Sequence, residues 1–253
     1  MANSKIEWTD RTWNPVTGCS KISQGCAHCY AETMARRLCG MGQEKYKNGF
    51  NVTLHPEALD EPCRVFNPST FFVCSMSDLF HKDVPFSFID SVMATIENLR
   101  QHTFQILTKR PQRMYEYFTG ERRDVPYNAW IGTSVELANY KWRIEELRAI
   151  ETDSCKFLSC EPLLGDLGKL DLTGIDWVIV GGESGNQARP MCKDWVLNIL
   201  HQCEDQGVPF FFKQWGTFGE DGIKRNKKAN GHTLGGVTYH NLPDASRAIG
   251  VKL

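Results

Sequence analysis

Two alternating periods along the chain predict an α/β fold, read as a partial parallel barrel in one domain. Short runs rich in aromatic and branched residues recur, and they are apolar throughout, as strands buried on both faces should be. Between them apolar residues return at helical spacing, so strand and helix succeed one another with short links. The runs also end in small or polar residues, at the strand ends where parallel α/β folds gather their chemistry.

The first strand candidate is Trp13–Gly18, followed by a cysteine-rich loop. Ala31, Met34, Ala35 and Leu38 then fall at i, i+3, i+4 and i+7, which places a helix directly after the cysteines. The later apolar runs are Phe71–Ser75, Phe104–Thr108, Ala129–Thr133, Lys156–Cys160, Trp177–Gly181 and Pro209–Lys213. Helical faces between them begin at Phe88, at Met114 behind Pro111, at Tyr140 and at Trp195. The link from Cys160 to Trp177 carries leucines but also Gly165, Gly168 and Gly174, so it reads as a loop-rich crossover. Seven strand candidates in 253 residues fall short of a complete eight-unit barrel. Residues 1–215 make the barrel. Beyond Trp215 the chain turns glycine-rich and polar, and 216–253 reads as an irregular C-terminal extension of the same domain, a lid or a mobile tail.

With 41% hydrophobic residues the chain can bury a full core, and no run of about 18 apolar residues offers a membrane span. Its opening residues lack the apolar centre of a secretory signal, which predicts a cytoplasmic location. In that reducing compartment its ten cysteines bind metal or pack as small hydrophobes. Cys74, Cys155, Cys160, Cys192 and Cys203 lie in or beside apolar runs and are expected in the core. A net charge of -1 offers no bulk attraction to nucleic acid, so any such partner needs a local patch. Lys224–Lys228 is the densest, with Arg36–Arg37, Lys109–Arg110 and Arg122–Arg123 behind it; solvated surface is the plain expectation for each and phosphate contact the sharper one.

The sharpest chemical signal is Thr17–Tyr30, which holds Cys19, Cys26 and Cys29. Soft thiolates select zinc, copper(I) or iron-sulfur clusters, and three ligands on one loop can hold three irons of a four-iron cluster while the fourth stays open. A structural zinc site wants a fourth ligand, and His28, Cys39, His55 and Cys63 are near enough in sequence to offer one. Spacing alone leaves both readings open.

Around this loop stand Ile6–Asp10, Trp13–Cys19, Cys26–Ala31, Ser75–His81, Leu107–Pro111, Gly132–Glu136, Ser159–Leu163 and Gly181–Gly185. Over nearly the whole chain these segments resemble the radical S-adenosyl-L-methionine (AdoMet) enzymes, and among them a phage-associated three-cysteine family. The resemblance implies a partial (β/α)6-type TIM barrel in which Cys19, Cys26 and Cys29 hold a [4Fe-4S] cluster and AdoMet chelates the open iron. One electron from an external donor would then cleave the sulfonium to methionine and a 5'-deoxyadenosyl radical, which removes hydrogen from an unactivated carbon.

Roles carry over position by position. His28 stands where the family often has an aromatic ring near adenine, with a surface histidine as the plain alternative. Ser77 and Asp78 are candidates for the cofactor's amine, or for capping a helix. Ser134 and Glu136 resemble a ribose-contacting pair, or else a rim salt bridge. Lys109, Glu161, Glu183 and Lys213 are the substrate-side catalytic candidates, or ordinary rim charges; the Gly181–Gly182 doublet is a weak phosphate signal. Two departures stand out. Six residues, where the superfamily usually has three, separate Cys19 from Cys26, and Ser75–Asp78 replaces its usual glycine-rich strand end. Some relatives are linked to thymidine hypermodification, which implies isomerisation of a glycinyl-thymidine adduct, on a modified nucleotide or on a DNA base flipped out of its helix, in host cytoplasm if the chain is phage-encoded. Two rival classes are a zinc-binding nucleic-acid-interaction protein without catalysis and a barrel metallohydrolase using Glu136, Glu161 or Glu183 with His55 or His81.

Overall fold

The computed structural model describes residues 4, 6–120 and 124–243. Seven strands form one sheet in chain order: β1 (Arg11–Trp13), β2 (Thr70–Val73), β3 (Thr103–Thr108), β4 (Ala129–Ser134), β5 (Lys156–Cys160), β6 (Trp177–Gly181) and β7 (Phe210–Gln214). Every neighbouring pair is parallel, so each connection has to cross back to the starting end of the sheet. Five crossovers are made by α1 (Tyr30–Gly40), α2 (Phe86–Asn98), α3 (Pro111–Gly120), α4 (Trp142–Arg148) and α5 (Lys193–Gln206). The β5–β6 crossover has no helix, as its glycines predict.

Alternation of side chains explains why the runs look apolar throughout. One set, including Phe71, Phe104, Ile131, Val178 and Phe212, packs outward against Ile89, Met114, Ile144 and Val196 of the helices. The other set, Phe72, Trp130, Phe157, Trp177 and Phe211, points into the lumen, where Trp8 joins it. The Trp8 ring lies 4.7 Å from Phe72 on β2 and 6.3 Å from Trp177 on β6. A flat sheet would hold those strands about 19 Å apart. The sheet is therefore curled into a partial barrel, as predicted.

The first strand is displaced from its predicted position. β1 ends at Trp13, and Val16–Thr17 leaves the sheet to pair antiparallel with Thr53–Leu54. Pro15 lacks the N–H that a continuing ladder requires. Tyr140 likewise falls in a short 3₁₀ turn before α4. Of the cysteines expected in the core, Cys74, Cys155, Cys160 and Cys203 are buried, whereas Cys192 is exposed just before α5.

The described part of the extension carries α6 (Lys227–Asn230) and a hairpin pairing Thr233–Leu234 with Val237–Thr238. It packs back on the sheet: Phe212 N donates to Tyr239 O, the Phe211 and His240 rings stack at 4.4 Å, and Trp215 Nε1 donates to Thr233 O. It thereby covers the outer edge of β7, an edge that would otherwise present unpaired backbone groups. Arg122–Arg123 and 244–253 lie outside the described residues. Among those described, no helix is long and apolar enough to cross a membrane.

Candidate active site

A cavity of about 400 Å³ opens at the C-terminal ends of the strands. Its lining includes Cys19, Cys26, His28, Cys29, Ser77, Asp78, Lys109, Ser134, Glu161, Glu183 and Lys213. Of the residues the radical-enzyme resemblance proposes, Glu136 falls outside that lining. Short strands with polar C-terminal ends converge here because a curled parallel sheet brings all its carboxyl ends to one rim.

The three cysteines are free and partly buried. Cys26 closes a 3₁₀ turn over Gln24–Cys26, and Cys29 is the N-cap residue of α1. Burial pushes the Cys19 thiol up to about 11; Asp78 adds to this and the adjacent Arg110 guanidinium opposes it. Arg110 Nη1 lies 3.5 Å from Cys19 Sγ, while Nη2 donates to Ser20 O at 2.9 Å.

The donor set tests which metal these thiols suit. Each thiolate of a four-iron cluster meets a different iron, whereas zinc ligands must converge on one point. Among the described residues, no group of three or more His, Cys, Asp or Glu is placed to hold a single metal ion. Of the proposed fourth zinc ligands three are engaged or elsewhere, whereas His28 lines the cavity beside the cysteines with its Nδ1 lacking a hydrogen-bond partner. His55 bonds Thr17 and Glu57, Cys39 turns to Lys47 O, and Cys63 is exposed away from the cavity. Three soft thiol donors lining one cavity are the donor type that an iron-sulfur cluster with an open iron takes.

The rim carboxylates divide into committed and accessible groups. Asp78 is saturated: Oδ1 accepts from Thr108 Oγ1 and Phe80 N, and Oδ2 from Arg110 Nη1 and Lys109 N. Ser77 Oγ donates to Val16 O at 2.7 Å, so it too has a protein partner. Glu136 is fully buried behind the cysteine loop, where Oε2 accepts from Arg143 Nη1 at 2.8 Å and Oε1 from Ser23 Oγ at 2.6 Å. Lys109 Nζ stands 3.5 Å from the same Oε1.

Glu183 is desolvated, which alone would raise its pKa, but the Arg189 guanidinium and backbone N–H grip both oxygens and hold it below the usual carboxylate range. His28 Nδ1 approaches Glu183 Oε2 only to 3.5 Å and has no hydrogen-bond partner. Deeper in the lumen, Lys213 Nζ sits 3.0 Å from Glu161 Oε1, with Ser159 Oγ on Oε2 and the Trp8 ring 5.8 Å from the ammonium. The glycine doublet serves packing here. A Cβ at Gly181 would come within 2.5 Å of Glu161 Oε1, and one at Gly182 within 1.9 Å of Trp215 O.

Three further buried atoms in the cavity lining lack hydrogen-bond partners: Ser134 Oγ, Gln214 Oε1 and Trp8 Nε1. Buried polar groups are ordinarily paired, so orphans that line a cavity mark where a ligand would bind. Sequence reasoning found Ser134 but gave no role to Gln214 or Trp8, and it read Arg110 only as part of the Lys109–Arg110 phosphate patch, not as the partner of Cys19 and Asp78. The metallohydrolase histidines do not assemble. His81 Nε2 bonds Ser20 Oγ at 2.7 Å, and neither His81 nor His55 lines the cavity.

The chain belongs to the family described as protein of unknown function (DUF5131), whose model matches residues 3–243. No curated protein matches it. Solved structures with a similar chain path include spore photoproduct lyase complexed with dinucleoside spore photoproduct, at 13% identity and a TM-score of 0.48, covering 79% of this chain and 62% of that one. A mutant of the same lyase with bound AdoMet and dinucleoside spore photoproduct matches at 12% identity and a TM-score of 0.46, with the same coverage. The chain thus spans less than two thirds of these lyase structures.

Proposed function

We propose that this member of the family is a radical AdoMet enzyme whose cluster is held by Cys19, Cys26 and Cys29. The observation that carries the reading is that these thiols share one cavity, at the C-terminal ends of a curled parallel sheet, with buried polar atoms that lack partners. The cluster and AdoMet together supply one-electron cleavage of a sulfonium, a route to hydrogen abstraction from carbons that no acid or base can deprotonate.

The protein's part is binding, orientation and shielding. Ser134 and His28 keep polar atoms open on the wall and serve the cofactor, while Asp78 and Ser77, already bonded within the protein, shape the loops beneath it. Glu161 and Lys213 face the substrate as a neutral pair, so a ligand can take either charge by exchanging partners. The aromatic floor around Trp8 and Trp177 keeps water from entering through the lumen.

For the substrate we propose a modified nucleotide, and for the finer reaction the isomerisation of a glycinyl-thymidine adduct; both rest on the sequence resemblance. A nucleotide suits this surface better than long DNA, since Arg225 is paired with Asp221, Lys227 with Glu7, and Lys224 Nζ with Asn186 O. Iron and sulfide analysis with electron paramagnetic resonance (EPR) of the anaerobic, reduced protein tests the class. A four-iron signal perturbed by AdoMet and abolished in Cys26→Ala is expected. Stoichiometric zinc with no iron signal after reconstitution would overturn it.

A further inference from the structure

Glu136 was expected to meet ribose, yet it is fully buried and turned toward the back of the cysteine loop. Its partner Arg143, on α4, is just as buried, and Nη1 is shared between Glu136 Oε2 and Ser134 O at 2.8 Å each. Burying a charged pair so completely costs more desolvation than a solvated rim pair would, which calls for a role beyond net stability.

The pair reaches the cysteine loop through two routes. Glu136 Oε1 accepts from Ser23 Oγ, and the same hydroxyl lies 3.5 Å from Cys26 Sγ. The Arg143 guanidinium also sits 4.3 Å from the centre of the Tyr140 ring, whose hydroxyl bonds the Gln24 side chain. Ser23, Gln24 and Gly25 are the residues that lead into Cys26. Gly25 is packed so closely that an added Cβ would stand 2.4 Å from Glu136 Oε1. The Cys19 limb of the loop is held separately, by Arg110 on Ser20 and Cys19.

Resting on the iron-sulfur reading above, we propose that Arg143, Glu136 and Ser23 form a positioning relay that sets the Cys26 limb against the Cys19 limb, and so fixes the spread of the thiolates. The long gap between Cys19 and Cys26 explains the need. Six intervening residues have far more conformations than a tight loop, and without a clamp the ligands would have to be ordered by the cluster itself. Glu136 is thus a positioning residue and touches neither cofactor nor substrate.

Ser23 lies on the half-exposed loop, so its variants test the relay without emptying the core. Wild type and the Ser23→Ala, Ser23→Thr and Gly25→Ala variants are reconstituted anaerobically and compared in melting temperature, iron content, chelator-driven bleaching and reduced EPR spectrum. The expectation is that Ser23→Ala melts close to wild type, that Gly25→Ala, whose added Cβ must displace the buried Glu136 side chain, melts lower, and that both lose cluster absorbance roughly tenfold faster. Their EPR lines should shift, and Ser23→Thr, which keeps the hydroxyl, should restore both rate and spectrum. A wild-type cluster with unchanged bleaching and spectra in Ser23→Ala and Gly25→Ala overturns the relay alone. A wild type that takes up no iron-sulfur cluster overturns the functional reading and the relay with it.

Discussion

The two ends of the barrel lumen are built from the same strands and differ in what their inward side chains need. At the N-terminal end Trp8, Trp130, Phe157, Trp177 and Phe211 contact one another ring against ring, with Trp177 about equidistant from Trp130 at 6.0 Å and Phe211 at 5.8 Å. At the C-terminal end the inward groups are Ser134, Glu161 and Lys213, joined by three thiols from the loop. One end fills its space with rings, leaving indole N–H groups such as those of Trp8 and Trp130 unpaired; the other lines a cavity with carboxylate, ammonium, hydroxyl and thiol groups. The difference shows how one fold separates stability from chemistry, placing each at an opposite mouth of the same sheet.

The largest expected effect falls at the closed end. Trp177→Ala empties the aromatic floor and should cost about 3–5 kcal/mol in denaturant unfolding. Cluster uptake by the folded fraction should stay at the wild-type level; an equal loss of both would show that the two ends are not separable. At the open end, Glu183 should contribute about 1 kcal/mol through its bonds to Arg189. Its folded pKa is depressed, so that contribution is complete above the unfolded value of 4.5 and disappears as pH falls through the folded one. Melting curves of wild type and Glu183→Gln should therefore differ at neutral pH and converge in acid, and a constant offset would assign the difference to packing. The smallest effect should come from replacing the lumen ion pair as a unit. Glu161→Gln with Lys213→Met should melt within about 1 kcal/mol of wild type, because the desolvation of both charges is relieved together. A much larger loss would move this pair from the chemical end of the lumen to the structural one.

The strands were legible because parallel strands covered on both faces carry an unbroken apolar signal. Lys156–Cys160 and Trp177–Gly181 have the predicted boundaries, and the other later strands shift by only a residue or two. The first strand was misplaced because Trp13 and Val16 look alike in a hydrophobic pattern, while the break between them depends on Pro15 and on the distant partner Leu54. The site was legible where chemistry is carried by residue type, as with three thiols on one loop. It was obscure where the role depends on a neighbour far along the chain. Asp78 and Glu136 read alike as rim carboxylates, and only their distant partners, Arg110 for one and Ser23 with its loop for the other, distinguish what each holds.

By itself the sequence determined the α/β alternation, the helix-free β5–β6 crossover and the donor atoms available to a soft metal. Those properties are local: period, glycine content and side-chain chemistry are complete within a few residues. Tertiary structure decided which polar groups were consumed and which were left open. It saturated Asp78, buried Glu136 behind the loop, paired Glu161 with Lys213, and left Ser134, Gln214 and Trp8 without partners in one cavity. Hydrogen bonds and desolvation depend on atoms brought together from distant positions, and curling the sheet is what brings them there.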